Sequence, residues 1–348
     1  MPVKGHVALR LELQCLGIFQ VGLSSVVEGV VADPEREPSL LVSKGELAAP
    51  AEPTFDTAPG ADVTIGGQVY RIHVEQVLDG GGKWLHNVVT VTEPDGTINS
   101  FAPALTITPV NDPATCPVQL WVGTPGDDNN MTAISNGVWA GIPAVMIGLG
   151  GDDTIDGTIL EDIIVGNGGN DEIGGDKGAD KIWGGSGNDF IYGFEGADTI
   201  VGGPGDDELY GHRQGDSLWG EDGCDKLFGH WDNDVLIGGA DDDITLEGGD
   251  LDDTVWGGAG DDTIAGSTGD DKLYAGAGGD KVFGNDGRDQ ICGGGGDDTI
   301  DGGDGDDAIS GDDGDDAING GYGDDAIWGG EGKDNLNGQD GNDFLDGE

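Results

Sequence analysis

Positive charge is scarce in this chain: 14 Lys and Arg stand against 69 Asp and Glu, for a formal net charge of −55. A surface that acidic repels phosphate at every range that screening permits, which argues against nucleic acid and against anionic membranes as partners. Cysteine is sparse too. Cys15, Cys116, Cys224 and Cys292 form no close pair and no zinc-ligand spacing, so neither a disulfide scaffold nor a structural zinc site is expected, and the thiols are free or intermolecular. No apolar run is long enough to span a membrane. Large apolar side chains are few for a conventional core.

Catalytic signatures are missing as well. The sequence has no HExxH zinc-protease helix, no GxSxG elbow and no phosphate loop with its Lys. Its five His residues lie near no nucleophile in a recognisable pattern. Acidic pairs of the kind glycosidases require abound, but a repeat accounts for them. The expectation is a protein that is not an enzyme.

What the chain has in excess is glycine, 71 residues of it, and from Gly148 a nine-residue unit of the form Gly-Gly-x-Gly-x-Asp-x-apolar-x runs for 22 copies. Copies 175–183 (GDKGADKIW), 184–192 (GGSGNDFIY) and 257–265 (GGAGDDTIA) are typical. A unit this short cannot fold alone, so neighbours must stack to bury its single apolar side chain. That side chain is position eight, Ile, Leu or Val from Ile155 and Ile164 to Leu336 and Leu345, with one extra residue near Thr245 that brings Leu246 into register. Glycines at positions one, two and four predict positive-φ or tightly turned backbone, and the x-apolar-x triplet predicts a short strand. If each copy turns the chain through half a coil, same-side residues stack roughly 4.8 Å apart.

Position six is Asp in every copy. Under that stacking its carboxylates form two ladders, whose mutual repulsion the few internal cations cannot relieve. Several hard oxygen donors in a flexible, Gly-rich loop that also offers backbone carbonyls suit calcium better than zinc or magnesium. The candidate metal ligands are Asp153, Asp171, Asp180, Asp189, Asp198, Asp207, Asp225, Asp253, Asp262, Asp271, Asp280, Asp289, Asp298, Asp307, Asp316, Asp325, Asp334 and Asp343. Asp162, Asp216, Asp234 and Asp243 are left out. In the first three of those copies Leu160, Gln214 and Asp232 stand where position four favours glycine. An earlier copy at 123–131 (GTPGDDNNM) keeps Asp128, puts Asn130 at the apolar place and reads as a degenerate first turn.

These residues resemble the RTX, or hemolysin-type, calcium-binding repeat of bacterial proteins, over roughly the last three-fifths of the chain. The resemblance implies an all-β fold, a right-handed parallel β-roll in which each ion lies between two same-side turns and takes position-six carboxylates and loop carbonyls. Two ladders would hold roughly twenty calcium ions, and their roughly forty positive charges would offset most of the acidic excess. Extracellular calcium modules bind at about 0.1–1 mM, so the array is expected to be a disordered, solvated tail at cytosolic calcium and to fold outside the cell.

Upstream, residues 1–50 read as a leader: Lys4 and Arg10 near an apolar stretch at 13–27 loosely match a secretion signal, which Glu12 and Gln14 interrupt. Residues 51–113 predict a small β-sandwich-like unit with strands in ADVTI, QVYRIHVEQV, LHNVVTVTE and ALTITPV. Its ending at 106–113 (TITPVNDP) resembles the end of bacterial cadherin-like repeats. Residues 114–147, with Trp121, Trp139 and Met146, are expected to link and cap the roll spanning 148–348.

Two surface features remain. His212 and His230 occupy position two of same-side copies and are read either as a transition-metal pair or as two solvated loop histidines. Position nine should point outward, and on one face it reads Trp183, Val201, Trp219, Ile237, Trp256, Tyr274, Cys292 and Trp328. This stripe, through Trp183, Trp219, Trp256, Tyr274 and Trp328, is either a docking site for a protein or carbohydrate or a shield for strand edges. The function expected is calcium binding by a secreted roll that folds on calcium and serves as a structural, adhesion or surface-layer component. The alternative is the C-terminal calcium-dependent folding and secretion module of a truncated exoenzyme or toxin, kept open because the last copy stops two residues short of the final Glu348.

Overall fold

The computed structural model describes residues 61–65, 68–78, 84–92, 98–101, 119–123, 126–128, 131–132 and 143–347. Every regular element among them is a β-strand. The leader, the cadherin-like tail at 106–113, the strand expected in ALTITPV, Trp139, Cys15 and Cys116 lie outside the described residues.

One unit is a four-stranded antiparallel meander, β1 (Ala61–Ile65), β2 (Gln68–Leu78), β3 (Trp84–Thr92) and β4 (Ile98–Phe101), in the order β1-β2-β3-β4. The first three strands fall on the alternating segments ADVTI, QVYRIHVEQV and LHNVVTVTE. The fourth comes sooner than expected, in INSF, directly after the EPDGT turn.

The other unit is a two-sheet parallel solenoid. Its first strands, β5 (Gln119–Val122), β6 (Met131–Thr132) and β7 (Ala144–Ile147), precede the first regular copy. One strand per copy follows, from β8 (Thr154–Asp156) to β29 (Phe344–Asp346), and alternate strands go to alternate sheets of 12 and 13 strands. Each copy therefore makes half a coil, and residues eighteen apart pair: Ile182 lies between Ile164 and Ile200. The position-eight side chains form one continuous column, fully buried from Ile155 to Ile309, each contributing about 1.5–3 kcal/mol of transfer free energy.

Strand length departs from the triplet expected. A typical strand has six residues, such as β11 (Lys181–Ser186), running from position seven through position three of the next copy. Pairing continues past the apolar triplet, with Gly185 opposite Asn167 and Ser186 opposite Gly168. Position one follows position eight inward by strand alternation, and its glycine is buried. Strand β13 (Thr199–Val201) stops early because Pro204 fills position three and has no N–H to donate to the neighbouring coil.

The register also absorbs single-residue insertions between positions six and seven. Ile244 is the extra residue; it is 53% exposed, and its N–H and that of Thr245 both reach Asp225 O, at 3.0 and 3.4 Å. Leu246 then pairs with Leu227 in the core column. The first turn uses the same device, which corrects the sequence reading: Met131, not Asn130, is the buried apolar residue, pairing with Ile155.

Candidate metal centre

The turns carry positive φ at positions two and four, not at one. Gly185 and Gly187 have φ 121° and 123°, and a Cβ on Gly187 would lie 1.9 Å from Gly169 O in the coil before. Where another residue stands there, as with Gln214, Asp232, Asp241 and Leu251, φ contracts to 72–79°, the left-handed region open to side chains at a modest cost. Position one is glycine for another reason. A Cβ on Gly184 would fall 2.2 Å from Oδ2 of Asp189, the position-six residue of its own copy.

Each position-six Asp ties three coils together. The N–H of Asp189 donates to Asp207 Oδ1 at 2.7 Å, Asp171 N–H donates to Asp189 Oδ1 at 2.8 Å, and Asp189 O accepts the N–H of Glu208 at 2.9 Å. The same bonds run through two ladders: one from Asp128 and Asp153 through Asp171 to Asp334, the other from Asp162 through Asp180 to Asp343. The second carboxylate oxygen does not share in this. From Asp153 to Asp334, Oδ2 is buried without a hydrogen-bond partner in every position-six Asp except Asp162.

Burying a carboxylate in this way favours its neutral form. Burial pushes Asp216 up to about 9 and Asp180, Asp207, Asp243, Asp253 and Asp307 up to about 8; the backbone N–H bond opposes the shift and neighbouring carboxylates add to it. Among the described residues no cation pairs with them. The four ion pairs among the described residues, Lys177–Glu195, Lys226–Glu208, Arg288–Asp270 and Lys333–Asp315, all join partly exposed outer positions.

The donor set fits a hard cation. Besides the partnerless Oδ2 atoms, turn backbone hydrogen bonds are accepted by carbonyls of positions one, two, three, six and nine, which leaves those of positions four and five over. Among the described residues no three acidic, His or Cys side chains converge on one point, so a site here combines one or two carboxylates with backbone oxygens. That mixture suits calcium, which takes 6–8 oxygen ligands in flexible geometry.

All eighteen candidate carboxylates lie on the two ladders; Asp334 and Asp343, in the last coils, are half-buried. Three residues left out of the candidate set, Asp216, Asp234 and Asp243, have the same burial and the same partnerless oxygen as their neighbours. A side chain at position four changes the local φ without moving the position-six carboxylate out of line. Sequence reasoning also passed over position five, where a second, exposed ladder runs: Asn188 N–H donates to Asn170 Oδ1 at 2.8 Å and Arg288 N–H to Asp270 Oδ1 at 3.0 Å. Its signal was the frequency of Asp and Asn at that place.

The histidine pair is a stack. His212 and His230 have ring centroids 4.8 Å apart and planes inclined by 5°, inside a column with Phe194 and beside Tyr192, Tyr210 and Phe228. Parallel rings spend their faces on each other and do not turn two nitrogens onto one metal. On the opposite sheet Trp256 stacks on Tyr274 at 5.4 Å, while Val201, Ile237, Cys292 and Trp328 are buried. Position nine is therefore not a continuous exposed apolar stripe. Cys224 and Cys292 are not disulfide-bonded.

The sequence model of the RTX calcium-binding nonapeptide repeat, four copies long, matches residues 147–182, 156–191, 174–209, 192–225, 210–244, 247–282, 283–318 and 310–345. The matches break between 244 and 247, at the inserted Ile244. No curated protein matches the chain.

Proposed function

The chain belongs to the family of RTX calcium-binding nonapeptide repeat proteins, and from that premise we propose that it is a secreted bacterial protein whose roll folds as it binds calcium. In this reading it serves as a structural, adhesion or surface-layer component and not as a catalyst. Its ligands are the Oδ2 atoms of the position-six carboxylates together with turn carbonyls of positions four and five, at roughly twenty sites. Calcium supplies the positive charge that the inner ladders lack.

The observation that carries this reading is the column of buried, partnerless Oδ2 atoms. A buried carboxylate oxygen without a partner is costly, and a chain that repeats the cost in nearly every half-coil needs an external cation to hold the folded form. Folding and binding are then one reaction, driven by the calcium concentration. Millimolar calcium outside the cell matches the affinity range of about 0.1–1 mM usual for extracellular modules, and this supports secretion.

The test is far-ultraviolet circular dichroism of the full chain during a calcium titration, with magnesium at matched ionic strength as control. A cooperative gain of β signal with calcium and not with magnesium is expected. A β spectrum already complete in chelator and unchanged by calcium would refute the coupling.

A further inference from the structure

Copy 157–165 closes its turn differently from the copies that follow. Neither Thr158 at position two nor Leu160 at position four has positive φ. Elsewhere the position-two N–H points along the stack, as Leu149 N–H does to Gly166 O and Gly203 N–H to Gly220 O, both at 3.0 Å. Thr158 turns inward instead. Its N–H donates to Asp162 Oδ2, and its hydroxyl lies 3.0 Å from Asp162 Oδ1. Ala144 N–H donates to the same Oδ1 at 2.5 Å, and Leu160 N–H donates to the Thr158 hydroxyl at 3.0 Å. Thr158 and Asp162 are both buried, at 3% and 1% exposure.

We infer that this copy takes no cation: Thr158 does at Asp162 what calcium does at the other position-six carboxylates, so one half-coil of the roll closes without calcium. The inference rests on the calcium reading above and concerns which carboxylate escapes it. A carboxylate that accepts three hydrogen bonds has its charge satisfied where it stands. A cation needs acceptor oxygens around it, and here the space beside Oδ2 is taken by an N–H donor.

Position in the ladder gives this closure a consequence. Asp162 is the first residue of its ladder, and its N–H donates to Asp180 Oδ1 at 2.7 Å. A half-coil already closed offers the next carboxylate a fixed donor. In a stack where each repeat gains most of its stability from its neighbour, such a preformed half-coil lowers the cost of starting the array. Thr158 and Asp162 thus form a calcium-independent seed from which cation-dependent coils propagate.

Hydrogen exchange read by mass spectrometry on the full chain, in chelator and in saturating calcium, tests this. In chelator the amides of 158–162 are expected to exchange at least about tenfold more slowly than the equivalent amides of 176–180, and in calcium both become protected. The double variant T158G/L160G, which restores glycine at positions two and four, is expected to lose the chelator-resistant protection and to regain it only with calcium. T158V, which keeps the N–H and removes the hydroxyl, is expected to fall between. Equal loss of protection at 158–162 and 176–180 in the wild-type chain overturns the inference while leaving the calcium reading intact. Protection of the whole array in chelator overturns both.

Discussion

The N–H of Asp189 donates to Oδ1 of Asp207 at 2.7 Å across one coil, while Oδ2 of Asp207 is buried with no partner. One side chain thus has two separate tasks. Oδ1 fixes the spacing of the coils through a backbone bond that does not depend on calcium, and Oδ2 is left facing a site that only a cation can satisfy. Because Asp171 N–H makes the same bond to Asp189, loss of one carboxylate disturbs the coils on both sides.

Asp207→Asn separates the two tasks, since the amide keeps an oxygen for the Asp189 N–H and removes the charge. In saturating calcium we expect it to destabilise the folded roll by about 1–3 kcal/mol, the cost of a lost charged interaction in a buried place. Asp206→Asn, one residue away on the exposed ladder, is expected to cost no more than about 0.5 kcal/mol. Urea unfolding of both variants at fixed calcium checks this, and equal effects would mean that inner and outer ladders share the cation.

Protons compete with the cation for these carboxylates, and the sign is fixed by the shifts. Burial raises Asp171, Asp198 and Asp289 to about 6, Asp207 and Asp253 to about 8 and Asp216 to about 9, from an ordinary value of 3.8. The folded form therefore holds protons that the unfolded chain releases. Their stabilising contribution is complete below about pH 4 and is lost as pH rises through about 6 to 9. In chelator, the β signal should be stronger at pH 5 than at pH 9; in excess calcium it should persist at pH 9. A chelated chain with the same spectrum at both values would show that the ladders do not govern folding.

The period, the two ladders and the core column were legible because each rests on one residue type at one spacing: Asp at position six, Ile, Leu or Val at position eight. What was not legible depends on the direction of backbone groups. Nothing in the letters of copy 157–165 says that the Thr158 N–H turns inward, and Gln214 at position four looks as disruptive as Leu160 although only the latter copy rearranges. The strand extension through position three and the role of Met131 over Asn130 follow from pairing across coils, which a single copy does not reveal.

The inserted Ile244 offers a test of how the register is held. Its N–H and that of Thr245 share Asp225 O, and its side chain is largely exposed. Deleting Ile244 leaves Thr245 to make that bond alone, as Lys226 N–H does with Asp207 O at 2.9 Å in a regular copy. Calcium-loaded stability is expected to change by less than about 0.5 kcal/mol. Leu246→Ala, two residues on and fully buried in the core column, is expected to cost about 2–5 kcal/mol. Thermal unfolding of the two variants in calcium separates a surface bulge from a core position, and a large loss on deletion would show that the bulge itself is needed.

Glycine at position one and glycine at position four are constrained by different neighbours, and alanine at each should fail differently. A Cβ on Gly187 meets the backbone of Gly169 at 1.9 Å, so Gly187→Ala must move its turn into the contracted φ that Leu251 adopts at 79°. That adjustment costs about 1–2 kcal/mol with or without a cation. A Cβ on Gly184 meets the Asp189 side chain instead, Oδ2 first and then Cγ and Cβ, and Ala275, which stands at position one of its own copy, is fully buried in an otherwise regular coil. Gly184→Ala should therefore leave the stacking intact and displace the oxygen offered to the cation. The expected result is a lower calcium affinity with little change in stability once calcium is saturating, measured by titrating folding against calcium for both variants. If the two variants shift the calcium midpoint equally and differ in nothing else, position one has no special relation to Oδ2.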